Sequence, residues 1–168
     1  SIVGGLSNEV RGTGVYSLIG GGRSNILNAY DSSIVGGFNN EITNSSRFGC
    51  IAGGQSNIIN YGDNSFIGGG RNNTMSADHS SIISGRYNQI ANGYEYGCIA
   101  SGLSNNINQD YGFIGSGRMN TIDGFSNSIV GGLGNTTSVF SRYACIAGGR
   151  GNYTSNFDSF IGCGRNNT

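Results

Sequence analysis

The chain offers few side chains for acid–base, nucleophilic or metal chemistry. Its 168 residues include a single histidine, His79, and no serine or cysteine lies in a recognisable nucleophile motif. Two carboxylates could hydrolyse a glycoside, but no pair among the scattered aspartates is marked out for that task. These aspartates are Asp31, Asp63, Asp78, Asp110, Asp123 and Asp158. We therefore expect no enzyme activity, no catalytic residues, no cofactor and no metal site.

Three of the four cysteines follow a regular spacing, which we call the long period. Cys50, Cys98 and Cys145 lie 48 and 47 positions apart, and each precedes an isoleucine, whereas Cys163 occupies a glycine position. No Cys-x-x-Cys pair occurs, so zinc binding is not expected. If the three residues stack in adjacent coils, their Cα atoms would be about 4.8 Å apart, within disulfide range. They are therefore candidates for a disulfide or thiol ladder, with small buried thiols as the alternative.

Four arginines recur with the same long period. Arg23, Arg71, Arg118 and Arg165 each follow the pattern Leu/Phe-Ile-Gly-x-Gly. Arginine forms bidentate hydrogen bonds with carboxylate and phosphate groups. We interpret these residues as a candidate row for binding an acidic glycan or an acidic neighbouring chain. The alternative is a solvated row that keeps the surface soluble.

Five Asn-x-Ser/Thr sequons are a further candidate feature. In a chain so rich in Asn, Ser and Thr, about four would arise by chance, so the number alone indicates little. Asn135 and Asn152 also belong to the repeat motif described below, whereas Asn44 and Asn72 are the more plausible glycosylation sites.

The composition excludes several partners. Nine arginines balance nine acids, and this neutrality gives no electrostatic reason to expect binding to nucleic acid or to an anionic membrane. No apolar run approaches the ~20 residues of a membrane span, and no signal peptide is apparent. Because the sequence starts inside a repeat and without Met, we expect a mature segment or fragment.

One short motif organises the whole chain. The pattern x-Ile-x-small-Gly-x-x-Asn-x-aliphatic occurs eleven times, and its asparagines recur every 15 to 17 positions. Its invariant positions are represented by Ile19, Ile67 and Ile114, by Gly22, Gly70 and Gly117, and by Asn25, Asn73 and Asn120. The β-branched Ile suits a packed strand. The Gly indicates a bend with positive φ, and the Asn can bond neighbouring backbone.

Such a unit cannot fold alone. Two aliphatic side chains cannot offset the ordering of a unit in which each residue costs about 1–2 kcal/mol. Repeated Gly-Gly pairs also exclude a continuous helix. The motif therefore predicts an all-β fold, a parallel β-solenoid (β-roll or β-helix) forming one domain over residues 1–168, within a longer chain or a polymer.

The motifs also fall into three classes that recur with the long period, which leaves two geometries open. In the first, each repeat of about 16 residues is one full coil, giving roughly ten coils about 50 Å long. In the second, three repeats form one three-sided coil. The charged residues Arg47, Glu95 and Arg142 and the aromatic residues that follow them would stack directly in this second geometry.

The units Ser1-Ile2-Val3-Gly4-Gly5-Leu6-Ser7-Asn8 and Ser128-Ile129-Val130-Gly131-Gly132-Leu133-Gly134-Asn135 resemble the head repeats of YadA-type trimeric autotransporter adhesins. Similar units occur in phage and giant-virus fibre proteins. The resemblance covers the whole chain and implies a left-handed parallel β-roll, often trimeric, displayed on a bacterial or viral surface. It implies no catalytic residues.

Three functions are compatible with these features. The first is a structural fibre or filament protein, extracellular or on a cell or virion surface, whose coils stack and which associates with itself. The second is an adhesin or receptor-binding head that recognises glycan. The third is ice binding, although the eight threonines form no regular row.

Overall fold

A computed structural model describes residues 1–12, 15–43 and 46–168. Its regular elements are twenty strands of two residues each, joined by turns, and the described residues contain no helix able to cross a membrane. The odd-numbered strands are β1 Glu9–Val10, β3 Ile26–Leu27, β5 Glu41–Ile42, β7 Ile58–Ile59, β9 Thr74–Met75, β11 Gln89–Ile90, β13 Asn106–Ile107, β15 Thr121–Ile122, β17 Thr136–Thr137 and β19 Tyr153–Thr154. The even-numbered strands are β2 Leu18–Ile19, β4 Ser33–Ile34, β6 Cys50–Ile51, β8 Phe66–Ile67, β10 Ser81–Ile82, β12 Cys98–Ile99, β14 Phe113–Ile114, β16 Ser128–Ile129, β18 Cys145–Ile146 and β20 Phe160–Ile161.

The strands form two ten-stranded parallel sheets, one of odd-numbered and one of even-numbered strands. Each strand pairs with the strand two places further along the chain, so that Ile19 faces Ile34 and Ile34 faces Ile51. One repeat is therefore one complete coil. The predicted β-solenoid is confirmed. The three-sided alternative is wrong, because Ile19 pairs with Ile34 rather than with Ile67.

The core is a double row of aliphatic side chains between the two sheets. In each strand the second residue points inward, since successive side chains alternate across a strand. Ile19, Ile67 and Ile114 of the even sheet and Met75 of the odd sheet are fully buried. Thr137 and Thr154 take the inward position near the end of the odd sheet and are also buried. Each coil thus contributes two core residues and depends on its neighbours to cover them.

The turn that leads from the even to the odd sheet has the same backbone in every coil. Gly22, Gly70 and Gly117 have φ of 89°, 90° and 95°. A Cβ on Gly70 would collide with the carbonyl oxygen of Gly85 in the next coil. Two residues later Asn72 is also left-handed, with φ of 55°. Glycine is therefore required both by the left-handed conformation and by the close approach of the next coil.

The motif asparagines form a buried ladder through the same turns. The Asn73 side chain donates to the carbonyls of Gly69 and Gly85, both at 3.0 Å, and to Oδ1 of Asn57 at 3.1 Å. Its own Oδ1 accepts the backbone N–H of Asn88 at 3.0 Å. Asn25, Asn73 and Asn120 are all fully buried. One side chain thereby bonds three consecutive coils, which explains why the motif requires asparagine.

The long period of the sequence reflects which residues occupy the outward positions on the even sheet. The outward strand position runs through Leu18, Ser33, Cys50, Phe66, Ser81, Cys98, Phe113, Ser128, Cys145 and Phe160. Every third coil thus carries Leu or Phe between small residues. A Cβ on Gly115 would lie 3.6 Å from the Phe113 ring and 2.5 Å from the carbonyl oxygen of Val130. Glycine at this position is therefore required by the close carbonyl of the next coil, since 3.6 Å from the ring is an ordinary contact distance.

Candidate functional site

The turns between the even and odd sheets form one edge of the solenoid, which we call the basic edge. Its outermost residues align in one column, joined by parallel bridges from coil to coil. In order along the stack, the column consists of Leu6, Arg23, Phe38, Gln55, Arg71, Arg86, Leu103, Arg118, Leu133, Arg150 and Arg165. The four predicted arginines share this column but do not contact one another directly, because other residues lie between them.

Two further arginines, Arg86 and Arg150, belong to the same column. Arg86 is the bridge partner of Arg71, and Arg150 is the bridge partner of Arg165. The motif classes did not reveal them, since they occur in classes other than that of the four predicted arginines. Their shared position, directly after the motif glycine, was nevertheless a usable signal. All six arginines of the basic edge are exposed.

The basic edge contains no carboxylate. In the described residues the ion-pair geometry is met once, between Arg11 and Glu9 at 3.0 Å, away from this edge. The hydrogen bond from Arg11 lowers the pKa of Glu9 and raises the pKa of Arg11, and both side chains are exposed. On the edge itself, Arg23 lies over the Phe38 ring, 4.5 Å from its centroid. Arg86 lies 5.7 Å from the Tyr87 ring centroid. In the described residues none of the six exposed guanidinium groups is paired with a carboxylate, so their charge is available to a partner from outside.

The opposite edge carries four acids in successive coils, which we call the acidic run. It consists of Asp63, Asp78, Glu95 and Asp110, each four residues before the isoleucine of the following coil. Asp78 and Glu95 are bridge partners. Like charges in neighbouring strands repel each other, so the run needs compensating contacts.

The aspartates of the acidic run accept backbone hydrogen bonds from the preceding coil. Oδ1 of Asp63 accepts from the N–H of Arg47 at 2.6 Å, and Oδ1 of Asp78 accepts from the N–H of Asp63 at 2.7 Å. Oδ1 of Asp110 accepts from the N–H of Glu95 at 2.8 Å. Hydrogen bonds to charged acceptors are strong, so these contacts offset the repulsion between carboxylates. Glu95 is exposed and does not provide a corresponding bond in the described part of the chain.

A small cavity of about 120 Å³ opens along the acidic run. Its lining includes Asp78, Glu95, Tyr61, Tyr94 and Asn92. Carboxylates and aromatic faces are the two groups that bind a guanidinium ion most strongly. The cavity therefore has the chemistry of a receptor for an arginine side chain. The described residues contain no group of three or more His, Cys, Asp or Glu side chains placed to hold a metal ion.

Beside the acidic run, aromatic rings of successive coils contact one another. His79 stacks on Tyr96 and Tyr96 on Tyr111, each with centroids 5.1 Å apart, and edge-to-face contacts continue to Phe125 and Tyr143. Aromatic residues one long period apart do not stack directly, as the three-sided geometry would have required, because the partners of Tyr96 lie in the adjacent coils. His79 thus belongs to a stacking ladder.

Of the two alternatives for the cysteines, the disulfide ladder does not form in the structure. Cys50, Cys98 and Cys145 share one column, but Phe66 and Ser81 separate the first two. Three coil steps of about 4.8 Å place their Cα atoms far outside disulfide range. The three thiols are free and half-buried, and Cys163 is free and exposed.

The structure describes one of the two glycosylation candidates. Asn72 lies on the basic edge next to Arg71, is half-buried and has φ of 55°. Asn44 lies outside the described residues. A glycan on Asn72 would therefore stand beside the arginine column.

No protein-family model matches this chain, and no curated protein matches it significantly.

Proposed function

We propose that this chain is a structural rod, a segment of a fibre or filament shaft outside the cell or on a virion. The observation that carries the proposal is the uninterrupted stacking of coils through two ten-stranded sheets. The double row of core residues and the asparagine ladder run through the same stack. A stack of this kind separates its two ends by a fixed distance, which is the task of a shaft.

The bonding between coils supports mechanical stiffness. Each interior coil is hydrogen-bonded to both neighbours in both sheets and at both edges, as at Arg86 on the basic edge and Glu95 on the acidic run. With roughly ten coils at about 4.8 Å each, the rod is about 50 Å long. Bending it would require breaking several bonds of one coil interface at once.

The stacking surface is the same from coil to coil, which supports extension. The Phe113 N–H donates to the carbonyl of Asn127, and the Cys145 N–H donates to the carbonyl of Ser159 in the next coil. The N–H of Phe160, at the equivalent position of the last strand β20, has no such partner among the described residues. Unpaired strand groups are a template for further strands. A further coil, in this chain or in a second copy, can therefore dock by the same bonds.

Electron microscopy of two variants tests this extension. Phe160→Pro removes the N–H that a following coil would need, and proline is tolerated in an edge strand whose N–H faces solvent. Phe160→Ala keeps the N–H and is the matched control. We expect wild-type protein and Phe160→Ala to form filaments many times the length of one rod, with layers about 4.8 Å apart. Phe160→Pro should give short rods.

Two outcomes of this experiment would contradict the proposed extension. Wild-type protein that remains as single rods, at concentrations where they collide freely, contradicts extension by a second copy. Filaments of equal length from Phe160→Pro and Phe160→Ala show that the β20 amide is not the docking group. Circular dichroism of both variants checks that the rod itself is folded.

A further inference from the structure

The neutral chain is strongly polarised across its width. Six of its nine arginines lie on the basic edge, and none of its nine acids does. Four of those acids form the acidic run on the opposite edge. The two edges lie on opposite sides, because each joins one sheet to the other. The net charge of zero is therefore the sum of one positive edge and one negative edge.

The two edges also match in level along the axis. The chain passes each edge once per coil, so the order Arg71, Asp78, Arg86, Glu95 gives their sequence of levels. Arg86 lies between the levels of Asp78 and Glu95. Arg71 to Arg118 spans three coil steps, as does the acidic run from Asp63 to Asp110, a length of about 14 Å.

Two positively charged arginines flank the acidic run in its own column. Arg47 precedes the run and lies 5.7 Å from the Tyr30 ring centroid, at the level of Phe38 and Gln55 on the basic edge. Arg142 follows the run and lies over the rings of Phe125 and Phe157, at 5.7 and 5.9 Å. The charge match between the edges is therefore confined to the levels of the acidic run.

From this complementarity we infer that copies of the chain associate side by side, with the basic edge of one rod against the acidic run of the next. Arg86 enters the cavity that Asp78, Glu95, Tyr61 and Tyr94 of the neighbour line. The interface joins two different surfaces by translation alone, so it does not close and gives flat arrays of parallel rods. This lateral contact is distinct from end-to-end extension, since it changes the width of an assembly and not its length.

Salt dependence follows from the exposed position of both edges. Exposed charges are screened over about 10 Å at 0.1 M and about 3 Å at 1 M ionic strength. Arrays should therefore form at low salt and separate into single-width rods or filaments at high salt. Backbone bonding between coil ends involves no net charge and should persist.

A charge exchange at the centre of the interface tests the inference. Arg86→Glu and Glu95→Arg each place like charges opposite one another, and we expect each to raise the concentration needed for lateral association about tenfold or more. The double variant Arg86→Glu/Glu95→Arg restores an opposite charge at position 95, although Asp78 still faces the new glutamate. It should therefore associate more strongly than either single variant. Neither residue supports the fold through an ion pair in the described part of the chain.

Arg150→Glu is the matched control. It changes the net charge by the same amount as Arg86→Glu and lies on the same edge, but at the level of Arg142 and outside the acidic run. It should leave lateral association as strong as in the wild type, or strengthen it. The measurement is sedimentation velocity with negative-stain microscopy at about 0.02 M and about 0.5 M salt, where screening is weak and strong respectively.

Four results would overturn the inference. They are single-width wild-type rods at low salt, equal association of Arg86→Glu and wild type, a folded double variant that associates no more strongly than either single variant, and a weakening by Arg150→Glu equal to that by Arg86→Glu. Salt-sensitive binding of a sulfated polysaccharide that Arg86→Glu abolishes, with lateral association unaffected, would assign the basic edge to an acidic glycan instead.

Discussion

The two edges of the solenoid are built on different principles. On the basic edge, every coil repeats the same glycine, left-handed residue and asparagine, and the outward side chain varies among Arg, Phe, Gln and Leu. The opposite edge also has left-handed residues and backbone bonds between coils, as from the Tyr96 N–H to the Asp78 carbonyl. Its turns vary in length, however, and in the acidic run aspartate side chains accept further backbone bonds. On the basic edge, the invariant glycine and asparagine hold the turn, so the outward residue is free to carry charge. In the acidic run, the outward aspartates themselves help to hold the turn.

The largest expected difference between the edges concerns two glycines with similar backbone angles. Gly70 on the basic edge and Gly93 on the other have φ of 90° and 86°. A Cβ on Gly70 meets the Gly85 carbonyl of the next coil, whereas a Cβ on Gly93 meets no atom within 4 Å.

We expect Gly93→Ala to lower the free energy of unfolding by about 1–2 kcal/mol, the cost of the left-handed conformation alone. Gly70→Ala should cost about 3–6 kcal/mol, since overpacking is added. Urea unfolding measures both losses. Equal losses would mean that the backbone angle, and not coil contact, sets the requirement for glycine.

The next largest effect concerns the asparagine ladder. Asn73→Ala leaves the N–H of Asn88 and the carbonyls of Gly69 and Gly85 without this partner in a buried turn. We expect a loss of about 2–4 kcal/mol, because each unsatisfied buried group is costly. Asn92→Ala, exposed on the opposite edge, should change stability by less than about 0.5 kcal/mol. Hydrogen exchange of the Asn88 amide would locate the damage, and a protected amide in Asn73→Ala would contradict it.

The smallest effect separates the structural from the electrostatic role of the acidic run. Asp63→Ala removes the acceptor for the Arg47 N–H and should cost about 1–2 kcal/mol. Asp63→Asn keeps an oxygen at that position and relieves repulsion from Asp78, so its effect should lie within about 0.5 kcal/mol. Thermal unfolding measures the stability loss of each variant. An asparagine variant as unstable as the alanine variant would show that the negative charge itself is required.

The fold could be predicted from the sequence because the repeat encodes it locally. Ile, Gly and Asn recur at every coil, and one unit alone cannot bury its own aliphatic residues. The predicted arginines also lie in one column, since each directly follows the motif glycine. Arg86 and Arg150 follow it as well, but the grouping by the long period hid them.

The acidic run was missed for a physical reason. Its four acids lie one repeat apart, at a constant four residues before the next motif isoleucine. That alignment places the four carboxylates next to one another only if one repeat is one coil. If three repeats made up one coil, the same acids would be distributed over different sides of the solenoid, and their carboxylates would not meet.

By itself, the sequence determined the all-β solenoid, the identity of its core and the turn that requires glycine and asparagine, because these depend on interactions within one repeat and its copy. The tertiary structure decided which residues of different repeats are neighbours. It separated the cysteines, stacked His79 on Tyr96 and aligned the acidic run opposite the arginine column. The physical reason is that the number of residues per coil sets the register of every column, and this number follows from how the two sheets close around the shared core.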